Sequence, residues 1–239
     1  MKTLGIIGGL GPMATACLLE LLVNMTDAAR DQDHLNAIVY HQPSIPDRTA
    51  FTLGKSPADP LPPMRALAEK LDGQGVGCII IPCNTAHYFY EDISRGLKAA
   101  FPHIIRETAA YLKRAGVKAA GVMATDGTIA CGLYQKELEA LGIRPVLPAP
   151  PEQKLVMSLI YDQVKAGKPA DMAMFRQVTG ALFAAGAEKI ILGCTELSVI
   201  KQAENAGPGC LDALEVLAWR ALSLCGAPLK AQYADLFTK

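Results

Sequence analysis

Cys83 and Cys194 stand in matching surroundings, Ile79-Ile80-Ile81-Pro82-Cys83-Asn84-Thr85 and Ile190-Ile191-Leu192-Gly193-Cys194-Thr195-Glu196. Each closes an apolar, β-branched run and opens a helical stretch. Both are therefore expected at the carboxyl end of a parallel strand, where open α/β sheets bind ligands. A helix N-terminus there would favour an anion and draw a thiol from its usual pKa of about 8.5 towards neutrality. Two thiols facing one another suit proton transfer at carbon. A hydrogen on a carbon flanked by carboxylate and ammonium is very weakly acidic, and inverting that centre takes a base on one face and an acid on the other. A thiolate and a thiol can divide the work and exchange states at each turnover. Asn84, Thr85 and Thr195 add an amide and two hydroxyls that can donate to a carboxylate gaining enediolate character.

Two cations have a place beside such a pair. Arg48 lies in the loop Pro43-Ser-Ile-Pro-Asp47-Arg48-Thr49, directly after an expected strand, where its guanidinium could grip a carboxylate bidentately. Lys165, late in Ile160 to Gly167, reads by spacing alone as an ordinary helix C-terminal cation. The opening Gly8-Gly9-Leu10-Gly11-Pro12-Met13-Ala14-Thr15 matches the relaxed dinucleotide pattern at Gly9, Gly11 and Ala14. The match is weak. The next strand ends Val39-Tyr-His-Gln-Pro43 with no acid for a ribose, and Pro12 lacks one of the N–H groups a pyrophosphate needs. A turn holding a small carboxylate and a plain tight turn fit equally well. His87 is the one histidine near either thiol, and no set of metal ligands is visible.

These residues need a scaffold of βα units. Strands are expected at Thr3 to Gly8, Asn36 to His41, Gly77 to Pro82, His103 to Ile105, Ala119 to Met123, Pro145 to Leu147 and Lys189 to Gly193. Helices are expected at Pro12 to Arg30, Pro62 to Leu71, Asn84 to Ala100, Glu107 to Ala115, Thr128 to Leu141, Glu152 to Ala166, Asp171 to Ala185 and Leu211 to Leu224. A degenerate repeat underlies them. The turn after Gly5 is echoed after Gly121, and the Cys83 motif at Cys194, offsets of 116 and 111 residues (121 − 5 and 194 − 83). The expected fold is thus α/β, two similar halves each with a parallel sheet flanked by helices.

Composition narrows the partners. The 239 residues carry 23 Lys+Arg against 23 Asp+Glu, and 51% are hydrophobic. That balance argues against disorder and against a nucleic-acid partner, and no apolar run is long enough for a membrane span. Seven cysteines without tight spacing point to a reducing, cytoplasmic setting, in which Cys17, Cys78, Cys131, Cys210 and Cys225 pack as small hydrophobes.

Several stretches together resemble the cofactor-independent aspartate/glutamate racemases. They are Leu4 to Thr15, Ser44 to Thr49, Pro82-Cys-Asn-Thr-Ala-His87, Ala124-Thr-Asp-Gly-Thr128 with Gly132-Leu-Tyr-Gln135, Ile160 to Gly167, Gly193-Cys-Thr-Glu196 and Asp212 to Leu217. The resemblance spans the chain in order. It implies residues 1–104 plus 209–239 as one domain and 105–208 as the other, with the site in the cleft between them, and a homodimer. It also implies racemisation of aspartate, with glutamate the other candidate, without pyridoxal phosphate or metal. Cys83 and Cys194 would be the acid/base pair, with Cys83 acting on the D form. Asn84, Thr85 and Thr195 would hold the α-carboxylate, Arg48 and Lys165 would meet the side-chain carboxylate or complete the charged shell, and Gly9, Met13 and Thr125 would join them in binding substrate. Cys131 departs from the family pattern, which has a smaller residue or serine there. Two rivals remain: a maleate cis-trans isomerase, in which the first cysteine attacks a double bond, and a non-catalytic dicarboxylate binder.

Overall fold

The computed structural model describes residues 1–239. The first half runs β1 (Leu4–Gly8), α1 (Pro12–Met25), β2 (Ala37–His41), α2 (Arg48–Thr52), α3 (Leu61–Gly73), β3 (Cys78–Ile80), α4 (Tyr90–Ser94) and α5 (Ile104–Arg114). The second runs β4 (Ala119–Met123), α6 (Asp126–Ala130), α7 (Leu133–Ala140), β5 (Arg144–Val146), α8 (Pro150–Met157) and α9 (Met172–Ala184). It ends with β6 (Lys189–Leu192), α10 (Thr195–Ala203), β7 (Cys210–Asp212) and α11 (Ala213–Cys225). None of these helices is long and apolar enough to cross a membrane.

The strands form two parallel sheets, ordered β2-β1-β3 and β5-β4-β6-β7. In each half the first strand is central, with the second and third on either side. The repeat read from sequence offsets is therefore a repeat of topology, and Cys83 and Cys194 both follow a third strand. Every residue of β1 and β4 is buried, as continuous apolar runs in a sheet covered on both faces must be. Leu18 and Leu22 of α1, Ile105 and Leu112 of α5, and Leu214 and Leu217 of α11 join one buried cluster. That cluster includes Ile6 and Ile80 of one sheet and Val122 and Ile191 of the other. Each such side chain contributes roughly 1.5–3 kcal/mol by leaving water, so the shared core fixes the two strand-end surfaces against each other.

Several expected elements differ. His103 to Ile105 is not a strand: the His103 Nδ1 accepts from Ile105 N at 3.2 Å and Arg106 N at 3.4 Å, capping α5. A three-residue apolar run is too short for periodicity to tell strand from helix. The helix expected at Asn84 to Ala100 is a 3-10 turn, Thr85–Phe89, followed by the short α4. The chain then returns, through Gly96 at φ +83, to bridge Ala100 against Cys78. Helix α1 stops at Met25 rather than Arg30, because Thr26 is extended and bridges Leu229. The helix expected at Thr128 to Leu141 divides at Gly132, whose φ of +66 suits glycine. Beyond α8 the backbone widens into a π-helical segment, Ser158–Val164. Such widening re-aims the side chains that follow, here Tyr161 and Lys165. The sequence reading also lacked α2, and it ran Leu211 into the last helix, whereas β7 occupies Cys210–Asp212.

Candidate active site

The carboxyl ends of both sheets face one small chamber. Leu10 follows β1, Arg48 and Thr49 open α2, Cys83, Asn84 and Thr85 follow β3, and Thr125 follows β4. Tyr161 and Lys165 come from the π-helical segment and its end, and Cys194, Thr195 and Glu196 from the turn after β6. The chamber holds about 20 Å³, room for one water and little more. A wider mouth of about 490 Å³ adjoins it, sharing Asp47, Arg48, Lys165 and Glu196 and adding Gly9, Met13 and Ile45. Both thiols are nearly buried, each 7% exposed.

Cys194 is the N-cap of α10, and its Sγ donates to the Glu196 Oε2 at 2.9 Å. Burial first, and then the Glu196 charge, push this thiol well above its ordinary pKa, while Lys165 pulls the other way. The Lys165 Nζ lies 3.3 Å from the Glu196 Oε1 and 5.0 Å from the Tyr161 ring centroid. Burial alone would lower the lysine's pKa, but Glu196, then Cys194, carry it upward, so the ammonium stays charged.

Cys83 meets a cation instead. Arg48 is 7% exposed. Its burial works against the charge, but the neighbouring Cys83, with Asp47 and Glu196, raises its pKa and keeps it protonated. The guanidinium is also pinned. Nη1 donates to Ile45 O at 3.4 Å and Pro46 O at 3.0 Å, and Nη2 to Leu10 O at 3.2 Å. These bonds use three of the five N–H groups, and Nε is buried without a partner. Behind Cys83, the His87 Nδ1 lies 2.9 Å from the Cys83 carbonyl and donates to it. Burial lowers this imidazole's pKa to about 4, so it braces the loop as a neutral ring.

Threonines span the two halves. The Thr49 hydroxyl donates to Thr125 Oγ1 at 3.2 Å, and Thr85, Thr125 and Thr128 bond one another at 2.9–3.1 Å. Tyr161 Oη adds a link to Asp47 Oδ2 at 3.2 Å. Asp47 also caps α2 through Ala50 N at 2.7 Å.

Of the residues singled out from sequence, Arg48, Cys83, Asn84, Thr85, Thr125, Lys165, Cys194 and Thr195 line the chamber together. Gly9 and Met13 line only the mouth. The Gly9 N–H is spent on Thr15 Oγ1 at 2.8 Å, and its φ of +92 places a notional Cβ 2.6 Å from the Gln42 backbone, a position only glycine fills. Met13 is 60% exposed. Cys131 ends α6, half-buried and away from the chamber. Sequence reasoning missed Glu196, Asp47, Tyr161 and Thr49. Glu196 had a signal, an acid two residues after a cysteine in a first helical turn, but that position is also an ordinary place for a dipole-matched carboxylate.

The Asp/Glu/Hydantoin racemase family model matches residues 7–221. The chain is similar to a broad specificity amino-acid racemase, RacX, of Bacillus subtilis (strain 168), at 30% identity over 82% of this chain and 86% of that one. In structure it is similar to the Picrophilus torridus aspartate racemase, with a TM-score of 0.82 and 31% identity over 98% of each chain. An aspartate racemase homologue from Pyrococcus horikoshii shares the fold, at TM-score 0.76 and 24% identity over 95% of this chain and 100% of that one. The chain belongs to the Asp/Glu/hydantoin racemase family and is an isomerase of the racemase class.

Proposed function

We propose that the protein inverts the α-carbon of an acidic amino acid, aspartate first and glutamate second, by proton transfer between Cys83 and Cys194. One observation carries this reading: two buried thiols line one chamber, one beside a guanidinium and the other hydrogen-bonded to a carboxylate. Inversion takes a base on one face and an acid on the other, and the two thiols fill those roles. The Cys83 thiolate takes the α-hydrogen, forming S–H as C–H breaks. Cys194 returns its own proton to the opposite face and is left as the thiolate. The reverse reaction starts from that state. The Asn84 amide and the Thr85 and Thr195 hydroxyls donate to the carboxylate as charge moves onto it. Cys83 acts on the D enantiomer. The chemistry calls for neither pyridoxal phosphate nor metal.

A second reading widens the substrate range. Arg48 and Lys165 share the chamber with two carboxylates, Asp47 and Glu196, so it holds no surplus positive charge for a second substrate carboxylate. That balance favours amino acids beyond the dicarboxylic pair. The two sheets support a division into 1–104 plus 209–239 and 105–208, with the strand at 210–212 lent to the second sheet. Assembly as a homodimer and a cytoplasmic setting complete the proposal. In the test, the purified protein is incubated in deuterium oxide with each enantiomer of aspartate, glutamate and a neutral amino acid, without added cofactor. Deuterium at the α-carbon with loss of optical rotation is expected; no incorporation from any of them defeats the proposal.

A further inference from the structure

One buried side chain touches both cysteine loops. Tyr134, in the first turn of α7, is fully buried, and its Oη donates to the Asn84 Oδ1 at 2.7 Å. The other edge of its ring lies under Gly193, where a Cβ would come within 2.8 Å of Tyr134 Cε2. Gly193 is therefore small because the ring is there, and the ring is held between the residue after Cys83 and the residue before Cys194.

The bond decides which end of an amide faces the substrate. A primary amide has an acceptor end and a donor end, and a phenol that donates to Oδ1 turns Nδ2 the other way. The Asn84 Nδ2 is buried and has no partner, although Asn84 lines the chamber together with both thiols. A buried donor left open costs free energy unless a ligand supplies the acceptor. Burial pushes the Tyr134 hydroxyl's pKa up, so it remains a donor at neutral pH.

We propose that Tyr134 is a positioning residue: it holds the Asn84 amide with Nδ2 turned into the chamber, ready to donate to the substrate carboxylate. This rests on the racemase reading above. Tyr134 itself touches no substrate. The Gly132 turn that starts α7, with its φ of +66, aims the side chain from the second half of the chain into the first.

The experiment compares wild type, Tyr134→Phe, Asn84→Ala and the double variant by thermal midpoint and by kcat/KM for α-deuterium exchange into L-aspartate. Phenylalanine keeps the ring under Gly193 and removes only the hydroxyl. Tyr134→Phe is expected to fold and to lose about 10- to 100-fold in kcat/KM, the scale of one hydrogen bond to a charged group. In the Asn84→Ala background the same change is expected to cost nothing further. Wild-type kcat/KM in the folded Phe variant overturns the proposal, and so does an equal loss in both backgrounds, which would mean a merely structural effect. Should Tyr134→Phe fail to fold, wild-type protein labelled with ¹⁵N at asparagine answers the question. The Asn84 side-chain amide resonance is expected to move when L-aspartate is added, and an unmoved resonance in protein that aspartate stabilises thermally overturns the proposal. Wild type that exchanges no α-hydrogen defeats the racemase reading instead. The Asn84 amide resonance, displaced or not by Tyr134→Phe, then still decides whether the hydroxyl orients it.

Discussion

Cys83 and Cys194 share a topological address, the end of the third strand in a half-sheet, yet their surroundings differ. After Cys83 the chain turns through a 3-10 segment braced by His87, and the nearby charges are Arg48 and, more weakly, Lys165. After Cys194 a regular helix begins at once, and the nearby charges are Glu196 and Lys165. The repeated backbone brings two sulfurs to one chamber, and the unrepeated side chains give them different charged neighbours. Symmetry supplies position, and its breaking supplies chemistry.

The comparison fails first if either thiol proves dispensable. Cys83→Ser and Cys194→Ser are each expected to reduce racemisation by about 100-fold or more, the scale of losing a positioned acid or base. Polarimetry with each enantiomer reads this, and near-full rate in either variant ends the two-thiol assignment. Glu196→Gln is the next largest. Removing the charge that helps hold the Cys194 thiol high lowers its pKa, so iodoacetamide should label Cys194 faster at neutral pH while racemisation falls about tenfold. Mass-spectrometric labelling at unchanged speed would show that Glu196 does not set this protonation state.

The smallest effect concerns stability and sharpens the Cys83 side alone. His87 has a folded pKa of about 4 against an unfolded value near 6.5. The unfolded chain therefore binds the extra proton first as pH falls. Stability from the neutral ring is full above about pH 6.5 and is lost towards pH 4, by about 3 kcal/mol. Urea unfolding across that range should show the slope, and His87→Leu should reduce it to the share left by His103, whose pKa burial also lowers. An equal slope in that variant would place the acid sensitivity elsewhere.

The apolar cores of β1, β3, β4 and β6 were legible because buried parallel strands leave continuous aliphatic runs. The two thiols were legible because their flanking residues repeat. Arg48 shows where that legibility ends. An arginine after a strand reads as a free fork, and only the folded loop reveals that Leu10, Ile45 and Pro46 have taken three of its five N–H groups. Glu196 and Tyr134 were illegible as site residues for a related reason. Their partners lie 31 and 50 positions away, in Lys165 and Asn84, and no local periodicity encodes such pairings. The stretch after Cys83 misled because polar and aromatic residues can occupy a 3-10 turn as readily as a helix, and tertiary contacts decide between them.

The unequal charges beside the two sulfurs meet a limit set outside the protein. Mirror-image amino acids have equal free energies in water, so their equilibrium constant is unity. The ratio of kcat/KM in the two directions must then be unity as well, however differently Arg48 and Glu196 treat their thiols. What the asymmetry can divide is how each direction reaches that common value. One enantiomer can bind tightly and turn over slowly while the other binds loosely and turns over fast. Unequal kcat values for the two enantiomers, matched by KM values unequal in the same proportion, would be the kinetic imprint of a guanidinium on one face of the chamber and a carboxylate on the other.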